Sequence, residues 1–82
     1  MEKQQIFEIV VGHARDILPS LAAHEFRRDD ALKDLGANSL DRSEISVMTL
    51  DTLGLRIPLV ELARVTNIGE LVDVLHARLH AT

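Results

Sequence analysis

The sequence predicts an all-α fold, a small bundle of three main helices plus one short helix, with a long loop between helices 1 and 2. Two observations carry that expectation. Apolar residues recur at three- and four-residue steps in separate stretches, while no stretch alternates as a half-buried strand would. Helix punctuation stands at the edges of those stretches, with Asn38 and Asn67 placed to start helices and Pro19 and Gly54 to stop them. The 82 residues are read as one domain, 1–82, because a second core would not fit in so short a chain.

The first helix is expected from Lys3 to Leu18. Ile6, Phe7, Val10, Val11, Ala14, Ile17 and Leu18 fall on one helical face, and Pro19 disfavours helix at the residue before it. Residues 19–38 show no sustained period. There Leu21, Phe26, Leu32 and Leu35 are spaced like anchors that pin a loop to a core, and Ala31–Leu35 reads as a short helical turn. So long a connection in so small a domain often carries function. Gly36 suggests a positive φ just ahead of the next element.

The second helix should run from Ser39 to Leu53. Asn38 is the N-cap, and Asp41 three residues on completes a near capping box. With Asn38 capping, the Ser39 hydroxyl falls in the first turn with no structural duty. Pro58 suits the opening of a short third helix over Leu59 to Arg64. Asn67 and Glu70 then make a second capping pair. Beyond them Ile68, Leu71, Val72, Leu75 and Leu79 form the most regular apolar stripe in the chain.

Composition narrows the function classes. A net charge of −4 disfavours nucleic-acid binding, which relies on cations neutralising phosphates. With no cysteine there is no disulfide, no thiolate metal site and no thiol nucleophile. The opening residues, with Glu2 and Lys3 leading into a charged amphipathic pattern, do not read as a signal peptide. No apolar run approaches the ~20 residues that span a bilayer. The expectation is a cytoplasmic protein with no membrane contact.

Catalysis finds little support. The stretch Gly36-Ala37-Asn38-Ser39-Leu40 lacks the second glycine of a nucleophile elbow, and no strand precedes it. His76 and His80 stand at i, i+4, a spacing able to grip a metal from one helix face, but no third ligand adjoins them in sequence. Imidazoles at a helix C-terminus also suit its dipole, and no metal is expected. His13 and His24 read as surface residues, and Asp29, Asp30 and Asp34 as a solvated cluster without the alternating oxygens of a calcium loop. The second helix is more informative. Ile45, Thr49 and Leu53 share a core-facing side, whereas Leu40, Glu44, Val47 and Asp51 share a roughly opposite one, with Met48 at its edge. Burying that second face would desolvate two carboxylates, so it reads as a partner-binding strip that begins beside Ser39.

These residues closely resemble the acyl carrier proteins. Asp34-Leu35-Gly36-Ala37-Asn38-Ser39-Leu40 is similar to their Asp-Leu-Gly-x-Asp-Ser-Leu motif, and Ile57-Pro58, Glu61-Leu62 and Ile68-Gly69-Glu70-Leu71 match the region of their third and fourth helices. The resemblance implies a non-catalytic carrier with 4′-phosphopantetheine attached covalently to Ser39 by a phosphopantetheinyl transferase. Its partner-binding residues would be Leu40, Asp41, Arg42, Glu44, Val47, Met48 and Asp51. Asn38 departs from the family's aspartate, and Arg42, Thr49 and Thr52 stand where acids crowd in carriers of fatty acid synthesis.

A finer resemblance is to the free-standing donor carriers of polyketide β-branching cassettes. It rests on Ser39-Leu40-Asp41-Arg42-Ser43-Glu44-Ile45, Met48-Thr49-Leu50, and Glu61-Leu62 with Asn67-Ile68-Gly69-Glu70-Leu71. It implies a monomer that takes a malonyl or acetyl unit through an acyltransferase and a decarboxylating ketosynthase. The acetyl then passes to an enzyme like hydroxymethylglutaryl-CoA synthase. Arg42 marks this subgroup. A carrier for ordinary polyketide or fatty-acid chain elongation is the alternative, followed by a helical interaction module without a prosthetic group.

Overall fold

A computed structural model describes residues 1–81 of the chain. Three α-helices, α1 (Lys3–Ile17), α2 (Ser39–Leu53) and α3 (Ile68–Leu79), carry the fold, and two short 3₁₀ turns lie in the connections (Pro19–Leu21 and Leu59–Leu62). There is no strand among the described residues. The all-α architecture expected from periodicity is therefore observed, with each main helix within one residue of its expected limits.

Two boundaries differ and one turn is added, each for a local reason. Helix α1 stops at Ile17, and Leu18 is its C-cap, donating its N–H to the Ala14 carbonyl at 2.8 Å. Proline at 19 takes Leu18 out of helical geometry and opens a 3₁₀ turn that periodicity did not reveal. The short third helix, expected over Leu59 to Arg64, is a single 3₁₀ turn ending at Leu62. It has one apolar anchor, buried Leu62, too little to hold a longer α-helix.

The core is aliphatic. Ile6, Val10 and Ala14 of α1 meet Ile45 and Leu50 of α2 and Ile68, Leu71, Val72 and Leu75 of α3, with Leu62 closing one side. Thr49 is buried among them, its hydroxyl satisfied by donating to the Ile45 carbonyl at 2.8 Å. On α2 the buried partner of Ile45 and Thr49 is Leu50, whereas Leu53 is half-buried. Leu53 is the last residue of the helix, where Gly54 (φ 66°) turns the chain back and Leu55 donates its N–H to the Leu50 carbonyl.

The long loop is anchored much as its apolar spacing implied. Leu21 is buried, and Phe26 and Leu32 pack on the core. Residues 31–35 form one turn, closed by the Leu35 N–H on the Ala31 carbonyl, and Gly36 (φ 103°) ends it. Ala37, buried, donates to the Leu32 carbonyl at 3.0 Å. That bond swings the chain into the start of α2.

Two surface assignments need correction. His13 is half-buried and its Nε2 lies 2.8 Å from Thr52 Oγ1, joining α1 to α2. The Thr52 hydroxyl donates to the Met48 carbonyl, so His13 is the donor in that pair. His24 is also half-buried, 3.1 Å from Asp30. Asp30 in turn accepts the Arg27 N–H at 2.8 Å, and that bond, reinforced by His24, holds its carboxyl below the usual carboxylate range. One member of the acidic cluster is thus a loop fastener.

Candidate functional site at the start of helix α2

The start of α2 is built by reciprocal capping. Asn38 Oδ1 accepts the Asp41 N–H at 2.8 Å, and Asp41 Oδ2 accepts the Asn38 N–H at 3.2 Å. Ser39 is the first helical residue and is exposed. Its hydroxyl has no hydrogen-bond partner among the described residues. The N–H groups of Ser39 and Leu40 precede the helix's own ladder and have no protein acceptor there either. The result is an unoccupied hydroxyl beside two free donors at the positive end of a helix.

A cleft of about 660 Å³ opens next to Ser39, between α2 and the segment leading into α3. Ser39, Arg42, Ser43 and Ser46 supply one polar wall, and Leu59, Val60 and Val65 an apolar one; Ile68 and Leu71 of the core also line it. Lys33 from the loop is a second cation there. Arg42 is half-buried, and its guanidinium donates to the Ala37 carbonyl at 2.7 Å. Ser43 and Ser46 were missed in the sequence, although their spacing of i+4 and i+7 from Ser39 is the signal that one helix face carries all three.

The residues expected to meet partners separate into two groups. Leu40 (71% exposed), Val47 (49% exposed), Glu44 and Asp51 are solvent-facing, with Met48 half-buried at the margin. Asp41 and Arg42 are half-buried and tied to the backbone just ahead of Ser39. Val60, 72% exposed, and Leu59 add an apolar patch across the cleft, which an unburied Leu-Val pair after Pro58 could have signalled. His76 and His80 lie side by side, ring centroids 4.4 Å apart. Loss of solvation, then the nearby His80 and Lys3, push His76 below the usual imidazole range. No cluster of three metal-ligating side chains occurs among the described residues.

The fold is a short helical bundle whose second helix opens on an exposed serine hydroxyl with no hydrogen-bond partner among the described residues. The phosphopantetheine attachment site family matches residues 8–75. The chain is also 46% identical over 81 residues to the polyketide biosynthesis acyl-carrier-protein AcpK of Bacillus subtilis (strain 168), covering 99% of each. Among solved structures it superposes, with a TM-score of 0.91 and 42% identity, on a chain of the crystal structure of the curacin biosynthetic pathway HMG synthase in complex with acetyl donor acyl carrier protein. The match covers 94% of this chain and 99% of that one. The chain belongs to the phosphopantetheine-attachment family and is an acyl carrier protein of the polyketide type.

The residues present fit the family's prosthetic group. A phosphodiester on Ser39 would meet free N–H groups at the helix start, where the dipole favours an anion. Arg42 and Lys33 line the adjoining cleft, and neither has a carboxylate within 4 Å among the described residues.

Proposed function

We propose that Ser39 is the attachment residue for 4′-phosphopantetheine and that the chain is a donor carrier, delivering an acetyl unit to an enzyme like HMG synthase in polyketide β-branching. When bound, the group supplies a thiol that holds an acyl unit as a thioester, chemistry this cysteine-free chain lacks. The protein's own work is to present, orient and release. Asn38 takes over the capping that Ser39 would otherwise do, so the Ser39 hydroxyl faces the transferase unencumbered. The open helix start then stabilises the phosphodiester charge.

The observation that carries the donor reading is the close match, along almost the whole chain, to an acetyl donor carrier bound to its synthase. The exposed strip of Leu40, Glu44, Val47 and Asp51, edged by Met48, supports a docking role for α2. Asp41 and Arg42 flank the serine and keep its backbone in place. The chain itself is non-catalytic, a cytoplasmic monomer that meets in turn a transferase, an acyltransferase, a decarboxylating ketosynthase and the synthase. No helix among the described residues is long and apolar enough to cross a membrane.

The test uses the acetyl-loaded carrier with its HMG synthase-type enzyme. Acetyl should leave the carrier for the enzyme, read by intact mass of both proteins. A carrier that accepts extender units and elongates chains, yet never donates acetyl, would reverse the assignment toward ordinary chain elongation.

A further inference from the structure

Arg42 is the cation nearest in sequence to Ser39, and its surroundings separate it from the exposed strip. It lies three residues after Ser39, on a neighbouring part of the helix surface. Its Nη1 donates to the Ala37 carbonyl at 2.7 Å, which fixes the guanidinium against the chain just before the helix. One of the five N–H donors is thereby used. The side chain is half-buried and lines the same cleft as Ser39 and Lys33.

Among the other cations, Arg15 is likewise tied to a carbonyl, that of His24 at 2.9 Å, but away from the cleft, whereas three more are held by carboxylates. Arg28 and Lys3 share Asp73, and Arg78 pairs with Glu61. Arg42 is anchored by a neutral carbonyl, so its positive charge is positioned without being neutralised. The nearest acid in sequence, Asp41, accepts the Asn38 N–H, and Asp34 lines the cleft without reaching Arg42 within 4 Å. A guanidinium tethered at one N–H in the cleft that Ser39 also lines keeps its other N–H groups for the two non-bridging oxygens of a phosphodiester, which it can grip through paired N–H groups.

We propose that Arg42 is a positioning residue for the prosthetic arm: held by the Ala37 carbonyl, it binds the phosphodiester on Ser39 from within the carrier and sets the direction in which the arm leaves the helix start. This rests on the assignment of Ser39 as the attachment residue. Lys33, on the loop wall of the cleft, adds charge but no fixed geometry. The role turns Arg42 inward, toward its own chain's cargo, so that docking falls to the exposed residues around it.

The experiment is ³¹P and arginine ¹⁵N NMR on the carrier loaded from coenzyme A by a broad-specificity transferase, with intact mass confirming complete loading. The same loaded chain unfolded in urea gives the reference for an unheld phosphodiester. In the folded wild type the ³¹P resonance should be displaced from that reference and broadened. Arg42→Gln should lose the displacement, and Arg42→Lys should recover part of it, because lysine restores charge without the planar fork. The Arg42 guanidinium ¹⁵N resonances of the wild type should also move between unloaded and loaded protein, a measurement that requires no variant to fold. Loaded wild type whose guanidinium signals do not move, or a ³¹P resonance identical in wild type and Arg42→Gln, overturns the clamp and leaves Ser39 standing. A wild type that gains no mass from transferase and coenzyme A overturns the Ser39 assignment and the clamp together.

Discussion

Helices α2 and α3 begin with the same device and end up in opposite situations. In each an asparagine caps the third N–H at 2.8 Å, Asn38 for Asp41 and Asn67 for Glu70. In α3 the remaining donors are plugged by the long loop, Ile68 N–H by the Asp30 carbonyl at 2.9 Å and Gly69 N–H by the Arg28 carbonyl at 2.7 Å. In α2 the matching donors, on Ser39 and Leu40, stay open. The second helical position tells the two apart. Gly69 is buried, and a Cβ there would lie 3.0 Å from the Arg28 carbonyl oxygen, whereas Leu40 is 71% exposed. One helix start is a socket for the protein's own loop, and the other stays open, as the proposed attachment at Ser39 requires. Capping chemistry makes a helix start; what packs over it decides whether the start is structure or site.

The largest expected effect breaks the open start. Ser39→Ala should abolish phosphopantetheinylation outright, read as the loss of the mass increment after treatment with transferase and coenzyme A. Stability should not change, because the hydroxyl bonds nothing in the protein and Asn38 does the capping. Modification persisting on that variant would place the arm elsewhere. The next effect is on the closed side. Leu75 is fully buried among the α1 and α2 core residues, so Leu75→Ala should cost ~2–5 kcal/mol in urea denaturation. Set against the ~5–15 kcal/mol of a typical domain, that loss removes a large part of the fold's margin.

Substitution at the second position sharpens the contrast directly. Gly69→Val should push the Arg28 segment off α3, an overpacking cost of about 1–3 kcal/mol, while Leu40→Ala should leave stability nearly unchanged. Equal effects from the two would mean that the two helix starts are packed alike. Asn67→Ala should then cost about 1 kcal/mol, the ordinary worth of an N-cap. Asn38→Ala should cost a similar amount, and it should also slow loading of Ser39, since the serine would be drawn into the vacant cap.

Much of this was legible in the sequence. Both caps, the serine between the Asn38 cap and Leu40, and the α3 stripe follow from local chemistry, which spacing records. The loop's role did not. That Arg28 and Asp30 supply carbonyls to α3 depends on contacts forty residues away, and backbone acceptors have no sequence signature. Gly69 carried a trace of it, since a glycine inside a helix otherwise costs stability. Arg42 was singled out as a charge in the strip, but its tie to Ala37 depends on the turn that Gly36 ends. Leu53 packs on the core from its edge as helical phase implied, but phase alone did not single out Leu50, which is buried more deeply.

The smallest effect is the pH dependence of the closed start. Asp73, one turn into α3, accepts two hydrogen bonds from Arg28 Nη2 at 2.9 Å and pairs with Lys3 Nζ at 3.1 Å. The Arg28 hydrogen bonds, and then Lys3, hold its carboxyl below the usual carboxylate range. A carboxyl whose folded pKa lies below its unfolded one stabilises the fold fully above the unfolded value, near 3.8, and loses that contribution as pH falls through the folded value. The pair is nearly half exposed, so solvent limits its worth to roughly 0.2–1 kcal/mol. Asp73→Asn should therefore lower the melting temperature slightly at pH 7, and the gap should shrink as pH falls below 3.8. Salt should narrow it at neutral pH by screening the exposed charges. Because Arg28 also supplies the carbonyl over Gly69, the same variant should speed hydrogen exchange at the Gly69 amide and leave Ser39 and Leu40 unaffected. If exchange at Gly69 does not change, the loop holds α3 through its backbone alone, and the Asp73 pair is an ornament on a socket already closed.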